Sequence, residues 1–340
     1  MKPSELKALL TKTIPAGLPV LITGAPGIGK SDIVDQAAKA AGSDLILSHP
    51  AVSDPTDVKG LPWMVGDAAT FIPFGELSQA IAATRSTVWF LDDLGQASPA
   101  VQASYMQLLL ARRVNGHVLP DCVTFVAATN RRTDRAGVSG ILEPVKSRFA
   151  SIVELVPDLN EWCTWAIDKD LPAELIAFLR FQPDLLCKFQ ASADLTNSPI
   201  PRTWSHVARI LGLDLPANVQ TVAIAGAVGE GAAIELTAFL RLYAELPSID
   251  QILIDPDAVT IPTRPATLYA IAGALAHRAT DQNFDRIGRF CQRMVDANHG
   301  EFAVLTVRDA LQRHATIANT RAYIKLATGS LGALMNGQTS

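Results

Sequence analysis

Eight consecutive residues fit the phosphate-binding pattern GxxxxGK[ST] at every fixed position: Gly24, Ala25, Pro26, Gly27, Ile28, Gly29, Lys30 and Ser31. The glycines let backbone N–H groups curl around the β- and γ-phosphates of a nucleotide, and the N-terminus of the following helix adds a favourable dipole. The Lys30 ammonium would lie between the phosphates, and the Ser31 hydroxyl would bind Mg²⁺. The alternative is a chance glycine-rich turn, but the loop follows a strand-like run and opens a helical one. The pattern therefore predicts a site for ATP and Mg²⁺.

Two carboxylates, Asp92 and Asp93, end the apolar run of residues 88–91. In a protein with a phosphate-binding loop, a carboxylate at the end of a neighbouring strand meets Mg²⁺. We expect Asp92 to join the Mg²⁺ shell through water, and Asp93 to orient or deprotonate the attacking water. The alternative is an ordinary acidic turn after a strand, since Asp is common there.

A third polar residue, Asn130, follows the apolar run of residues 122–129. We expect that strand to lie beside the strand that leads into the phosphate-binding loop. The Asn130 amide would then reach the γ-phosphate or the attacking water. Asn also ends many strands without any further role, which is the alternative here.

The elements that would position these residues alternate along the first half of the chain. Five apolar runs, each bounded by Gly, Pro, Asn or Asp, occupy residues 18–23, 44–48, 87–92, 122–129 and 151–156. Continuous runs of this kind fit strands buried on both faces of a parallel sheet. Helical patterns lie between them at residues 30–41 and 98–112. Together they predict an α/β phosphate-binding domain with a parallel five-stranded sheet.

Outside these elements, the chain contains a Pro- and Gly-rich insertion and a long helical region. Residues 54–75 are rich in Pro and Gly, and we interpret them as a hairpin-bearing insertion outside the core of a domain spanning residues 1–157. The second half is almost wholly helical, and its Pro-rich stretch at residues 246–265 is typical of a linker. We therefore expect an all-α lid over residues 158–246 and a helical C-terminal extension over residues 247–340.

Composition excludes several classes of protein. The 340 residues include 29 Lys and Arg against 33 Asp and Glu, and a net charge of −4 gives no overall attraction to nucleic acid or anionic membranes. No apolar run approaches the ~18 residues of a membrane-spanning helix, and residues 1–10 lack a signal-peptide core, so we expect a cytoplasmic protein. The four cysteines are scattered and form no CxxC pair, which argues against a disulfide framework or a zinc site.

With these motifs in place, residues 14–211 resemble the AAA+ ATPases. The phosphate-binding loop corresponds to the Walker A motif, residues 88–93 resemble Walker B, and Asn130 resembles the sensor 1 residue. The segment GILEPVKSRF is similar to the one that ends in the family's arginine finger, which would make Arg148 that residue. The segment SPIPR resembles the sensor 2 region, with Arg202 as the sensor.

Within that family, the chain is similar to the MoxR-type branch. The supporting segments are the DVKG of residues 57–60, the FIPFGEL of residues 71–77, and a helix followed by a second hairpin at residues 114–120. Two departures stand out. AAA+ proteins usually have Glu where Asp93 stands, and Asp is one methylene, about 1.5 Å, shorter. The SPIPR segment is longer than the branch's Ser-Pro-Arg, and nothing beyond residue 246 matches a family motif.

The resemblance implies a homo-oligomeric ring, commonly a hexamer, with ATP between subunits and Arg148 of one copy touching the γ-phosphate held by the next. It also implies ATP hydrolysis coupled to remodelling of a protein client, in some relatives with a von Willebrand factor A-domain partner. One alternative is a nucleotide-gated scaffold with weak hydrolysis, suggested by Asp93. A second is a nucleic-acid motor or loader.

A few other residues remain open in the sequence. Arg112, Arg113, Arg131, Arg132 and Arg135 could form a solvated face, contact a subunit or partner, or bind a phosphate backbone. Trp63 is either an exposed anchor for a partner or packed under its hairpin. Trp162 and Trp165, three residues apart on one helix, should pack in the core of the lid.

Overall fold

The computed structural model describes residues 1–134, 140–192, 194–246 and 248–336. The chain forms two compact units. The first comprises Met1–Asp158 with Phe189–Asp194, and the second comprises Leu159–Lys188 with Leu195–Ser340.

The first unit is built on a parallel five-stranded sheet, as the apolar runs predicted. Its strands follow the spatial order β2-β5-β8-β1-β9. They are β1 Val20–Gly24, β2 Asp44–Ser48, β5 Thr87–Leu91, β8 Val123–Asn130 and β9 Ser151–Glu154. Every residue of β5 and β8, two of the three inner strands, is buried, which explains why their sequences are continuous apolar runs rather than alternating ones.

Two small antiparallel hairpins accompany this sheet. Strands β3 Leu61–Val65 and β4 Ala68–Ile72 form the first, and β6 Arg113–Val114 and β7 His117–Val118 form the second. The first hairpin lies within residues 54–75, where the sequence predicted one. The turn is a two-residue one at Gly66-Asp67, with Gly66 at φ 61°, and Val65 pairs with Ala68.

Helices cover the sheet of the first unit. They are α1 Pro3–Thr13, α2 Lys30–Ala40, α3 Pro55–Lys59, α4 Gly75–Ile81, α5 Pro99–Ala111 and α6 Glu143–Lys146. Ser98 caps the N-terminus of α5, since its hydroxyl accepts a hydrogen bond from the Val101 N–H. The interpretation of residues 54–75 as lying outside the core was wrong for α3, where Val58 is fully buried beside Leu77. A five-residue helix leaves too little periodicity to be recognised in a Pro- and Gly-rich stretch.

The second unit is entirely helical in its described residues. Its helices are α7 Leu159–Asp168, α8 Ala173–Phe181, α9 Pro201–Leu211, α10 Ala217–Val228, α11 Glu230–Ala244, α12 Ile249–Ile254, α13 Pro265–Arg278, α14 Phe284–Asp296, α15 Gly300–Arg313, α16 Arg321–Ala327 and α17 Ser330–Met335. The stretch interpreted as a linker contains α12, whose Ile252 is fully buried, so that interpretation was incomplete. Pro247 lies outside the described residues.

Two apolar clusters stabilise this unit. One centres on Phe178 and Trp204 and includes Trp162, with Trp165 packed against it, as the spacing of the two Trp residues predicted. The other centres on Phe284 and Phe290. A buried ion pair between Arg180 on α8 and Asp309 on α15 ties the two halves of the unit together. Over the part of the chain that is described, no helix has the length and apolar character needed to cross a bilayer.

Candidate active site

The phosphate-binding loop connects β1 to α2, the context that the sequence predicted. Gly27 and Gly29 have φ values of 67° and 94°, a left-handed conformation that side chains with a Cβ rarely adopt. Gly24 is restricted for another reason: a Cβ there would lie 2.8 Å from the Leu155 carbonyl oxygen. The glycines are therefore required by the backbone path of the loop.

The Lys30 side chain is buried, with 6% of its surface exposed, and lies at the carboxyl ends of the central strands. Its ammonium donates hydrogen bonds to the carbonyl oxygens of Gly24 at 3.1 Å and Ala25 at 2.9 Å, and to Asn130 Oδ1 at 2.8 Å. Asn130 is reached because β8 pairs in parallel with β1, in a register that places Asn130 opposite Gly24. The expected adjacency of these two strands is confirmed.

The two residues predicted to hold Mg²⁺ are in direct contact. The Ser31 hydroxyl donates a hydrogen bond of 2.7 Å to Asp92 Oδ2. A hydroxyl and a carboxylate are oxygen donors of the kind that Mg²⁺ prefers, so this pair fits the ion chemically. The Asp92 N–H donates in turn to the Ser48 carbonyl oxygen at 2.9 Å. Ser48 could not be identified from the sequence, because a contact made by a backbone carbonyl leaves no pattern of side-chain types.

Asp93 adopts a left-handed backbone conformation, with φ 55° and ψ 35°. Asp tolerates this region better than most residues. Its Oδ1 accepts a hydrogen bond of 3.2 Å from Asn130 Nδ2, and its backbone N–H donates to Asp92 Oδ1 at 3.1 Å. The Asn130 amide therefore bridges Lys30 and Asp93. The structure brings together Lys30, Ser31, Asp92, Asp93 and Asn130, although their roles in catalysis remain predictions.

Arg148 lies just after α6 and is half-buried. Its Nε donates a hydrogen bond of 3.1 Å to the Met106 carbonyl oxygen on α5, and its Nη1 donates to the Pro144 carbonyl oxygen. Glu143, an acidic residue of the same segment, forms its ion pair with Lys146 rather than with Arg148. Arg148 thus makes its hydrogen bonds to α5 and α6 rather than to the phosphate-binding loop.

Arg202 belongs to the second unit, where it is exposed in the first turn of α9. The buried Pro201 precedes it at the start of this helix, and the Thr203 hydroxyl accepts a hydrogen bond of 3.0 Å from the Ile200 N–H. Its assignment as the sensor 2 residue stays a prediction from the sequence.

The four described arginines among the five that the sequence left open differ in exposure and in hydrogen-bond partners. Arg131 donates two hydrogen bonds to Asp134 and one to Glu154, and the bonds to Asp134 raise the pKa of Arg131. Arg112 donates to backbone carbonyl oxygens, among them that of Val123 at 2.8 Å. Arg113 and Arg132 are exposed, whereas Arg135 lies outside the described residues. Arg112 and Arg131 therefore have structural partners within the chain.

Comparison with known families supports the interpretation of this cluster. Residues 19–149 match the family model described as AAA domain (dynein-related subfamily). The match includes every predicted site residue of the first unit, from Gly24 to Arg148. This segment is an AAA+ domain, as the sequence resemblance predicted. No curated protein matches the chain.

Solved structures show weaker similarity. The RuvB Holliday junction branch migration motor of Thermotoga maritima is 18% identical with a TM-score of 0.40, and the similarity covers 80% of each chain. A point mutant of the same motor reaches 0.43 at the same identity and coverage. NtrX of Brucella abortus in complex with ADP is 13% identical with a TM-score of 0.37, covering 97% of this chain and 68% of the other. Similarity at this level does not indicate what this chain binds.

Proposed function

We propose that this protein is an ATP-hydrolysing AAA+ protein of the MoxR-type branch that assembles into a ring, by resemblance a hexamer, and remodels a partner protein. The observation that carries the proposal is the Lys30–Asn130–Asp93 chain of hydrogen bonds beside the Ser31–Asp92 pair. Five polar groups converge there on the phosphate-binding loop: two from α2, two from the turn after β5 and one from the end of β8. ATP hydrolysis needs this set of groups.

Each group has a distinct task in this proposal. Lys30 and the loop N–H groups hold the β- and γ-phosphates, while Ser31 and Asp92 hold Mg²⁺. When bound, the ion would neutralise charge on the phosphate oxygens. Asp93 takes a proton from the attacking water or orients it, and Asn130 fixes the Asp93 carboxylate through its amide. Arg148 of a neighbouring copy stabilises the charge that develops on the γ-phosphoryl oxygens.

The first hairpin supports a protein client rather than a nucleic acid. All ten residues of β3 and β4 are exposed, including Trp63 at 63% and Met64 at 58%. Neither strand contains a charged residue. A phosphate backbone is bound mainly by Lys and Arg, whereas exposed aromatic and apolar side chains are typical anchors for protein partners. The exposed anchor is therefore the alternative that the structure favours for Trp63.

The base of this hairpin is held by the second hairpin. Asn115 Nδ2 donates a hydrogen bond of 2.8 Å to the Lys59 carbonyl oxygen, and His117 Nε2 lies 2.8 Å from the Phe71 carbonyl oxygen. The second hairpin directly follows α5, which begins after the Asp92–Asp93 turn. We propose that this path transmits events at the nucleotide to the client. A von Willebrand factor A-domain protein as partner rests on the family resemblance alone.

Substitution of Trp63 tests the client-remodelling proposal. We expect casein, a permanently unfolded polypeptide, to raise ATP turnover several-fold. Trp63→Ala should lose most of this stimulation, because the largest exposed apolar side chain of the hairpin is removed. Turnover without casein should change little, since Trp63 lies on the exposed strand β3, outside the phosphate-binding loop and the Asp92–Asp93 turn. The measurement is steady-state phosphate release with and without casein.

Ile254→Ala provides the matched control, because Ile254 is 78% exposed and lies in the second unit. It should keep the full response to casein. Stimulation by duplex DNA that falls steeply with salt, with no response to casein, would support the nucleic-acid motor instead. ATP binding without turnover under any of these conditions would support the scaffold.

A further inference from the structure

Gln102 on α5 is a buried polar side chain that the proposed reaction leaves without a role. Only 1% of its surface is exposed. Its Nε2 donates to the carbonyl oxygens of Gly140 at 2.9 Å and Ala97 at 3.1 Å, and its Oε1 accepts from the Leu142 N–H at 3.0 Å. A buried amide with both ends satisfied fixes the backbone groups that it contacts.

These contacts bracket the segment that ends in Arg148. Gly140 and Leu142 precede α6, and Arg148 follows it. One turn further along α5 than Gln102, the Met106 carbonyl oxygen accepts the hydrogen bond from Arg148 Nε. A single face of α5 therefore holds this segment at both ends, through Gln102 at its start and Met106 at its finish. Between these points, Val145 of α6 is fully buried.

The same amide also contacts the turn that leads out of the nucleotide site. Ala97, whose carbonyl oxygen accepts from Gln102, is fully buried and lies four residues after Asp93. Leu94, between them, is fully buried as well. The Gln102 side chain thus connects the backbone after Asp92 and Asp93 with the backbone before Arg148.

We infer that Gln102 is a positioning residue for Arg148, linking the carboxylate turn of one copy to the arginine that this copy presents to its neighbour. The inference rests on the proposed function, in which Arg148 completes the site of a neighbouring copy. Loss of the amide leaves the partly buried Gly140 carbonyl and Leu142 N–H without this hydrogen-bond partner. The segment then relaxes, and the guanidinium is no longer held in place.

Gln102→Met tests this role, because Met keeps the length of the side chain and removes its hydrogen bonds. We expect ATP turnover to fall about 10- to 100-fold, the loss typical of a misplaced catalytic group. ATP affinity should change less than twofold, since Gln102 does not contact the phosphate-binding loop. Gln107→Met is the matched control: Gln107 is exposed on the same helix, and this variant should retain wild-type turnover.

Mixing experiments separate a defect in the presented arginine from general damage. Lys30→Ala chains cannot use ATP but carry an intact Arg148 segment, so they should restore turnover at the sites of Gln102→Met chains. Arg148→Ala chains should restore none, because both variants lack the same element. If the substitution instead damages the chain's own site and leaves Arg148 in place, the mixture with Lys30→Ala should stay inactive and the mixture with Arg148→Ala should recover turnover, and this would overturn the inference.

A second variant removes the Leu142 N–H, the partner of Gln102 in the same hydrogen bond. Leu142 has φ −59°, which suits proline, so Leu142→Pro removes the N–H that donates to Gln102 without forcing the backbone. It should show the same pattern of mixing with a smaller loss. If Arg148→Ala and Lys30→Ala chains also fail to complement each other, the shared site of the proposed function fails. If the mixture of Arg148→Ala and Lys30→Ala recovers turnover but the mixture of Gln102→Met and Lys30→Ala does not, only the role of Gln102 fails.

Discussion

Replacing Lys30 with alanine is expected to abolish ATP turnover and to weaken ATP binding by about 100-fold, as expected for a lost charge-assisted contact with the phosphates. The ammonium is 6% exposed and is held at the strand ends by three oxygens, so water cannot substitute for its charge there. Its removal also deprives the Asn130 amide of one partner, which loosens the support of Asp93. Binding of a fluorescent ATP analogue and phosphate release measure the two effects.

Lys39→Ala is the control for this substitution. Lys39 lies on the same helix α2 but is exposed and paired with Asp35, so its loss should leave both measurements unchanged. Wild-type turnover in Lys30→Ala would mean that the phosphate-binding loop has been assigned wrongly.

The second large effect is expected at Arg148. Arg148→Ala should bind ATP as the wild type does and lose about 10³-fold or more in turnover, the range found for arginines that stabilise phosphoryl transfer from a neighbouring subunit. Arg148 makes its hydrogen bonds to Met106 and Pro144 and none to the loop, which is why binding should persist. Lys146→Ala, at an exposed surface pair in the same segment, is the control and should remain active.

Arg148 acting in trans has a distinctive consequence. Mixtures of Arg148→Ala and Lys30→Ala chains should recover part of the activity, because each variant retains the half of the site that the other lacks. If the mixture shows no turnover, Arg148 does not act at the site of a neighbouring copy.

Much of the candidate site was accessible from the sequence for one physical reason. Parallel strands end at the same edge of a sheet, so residues that follow neighbouring strands meet there. That rule placed Asn130 beside the loop, and the register of β8 on β1 confirms the adjacency. The contact between Ser31 and Asp92 follows from the same geometry, since β5 also ends at this edge.

Other features left no signal in the sequence. A glutamine within a helix carries no information about what it contacts, so the hydrogen bonds of Gln102 to Gly140 and Leu142 could not be predicted. The pairing of Arg180 with Asp309 joins helices 129 residues apart. The short helices that contain Val58 and Ile252 were not predicted. Prolines near each of them indicated an irregular insertion and a linker instead.

We propose that ATP is hydrolysed at a site completed by a second copy of the chain. The most direct test is ATP turnover per chain measured over a wide range of protein concentration. We expect the specific activity to rise with concentration and then to saturate as neighbouring copies supply Arg148. A turnover per chain that is substantial and independent of concentration down to the monomer would contradict it.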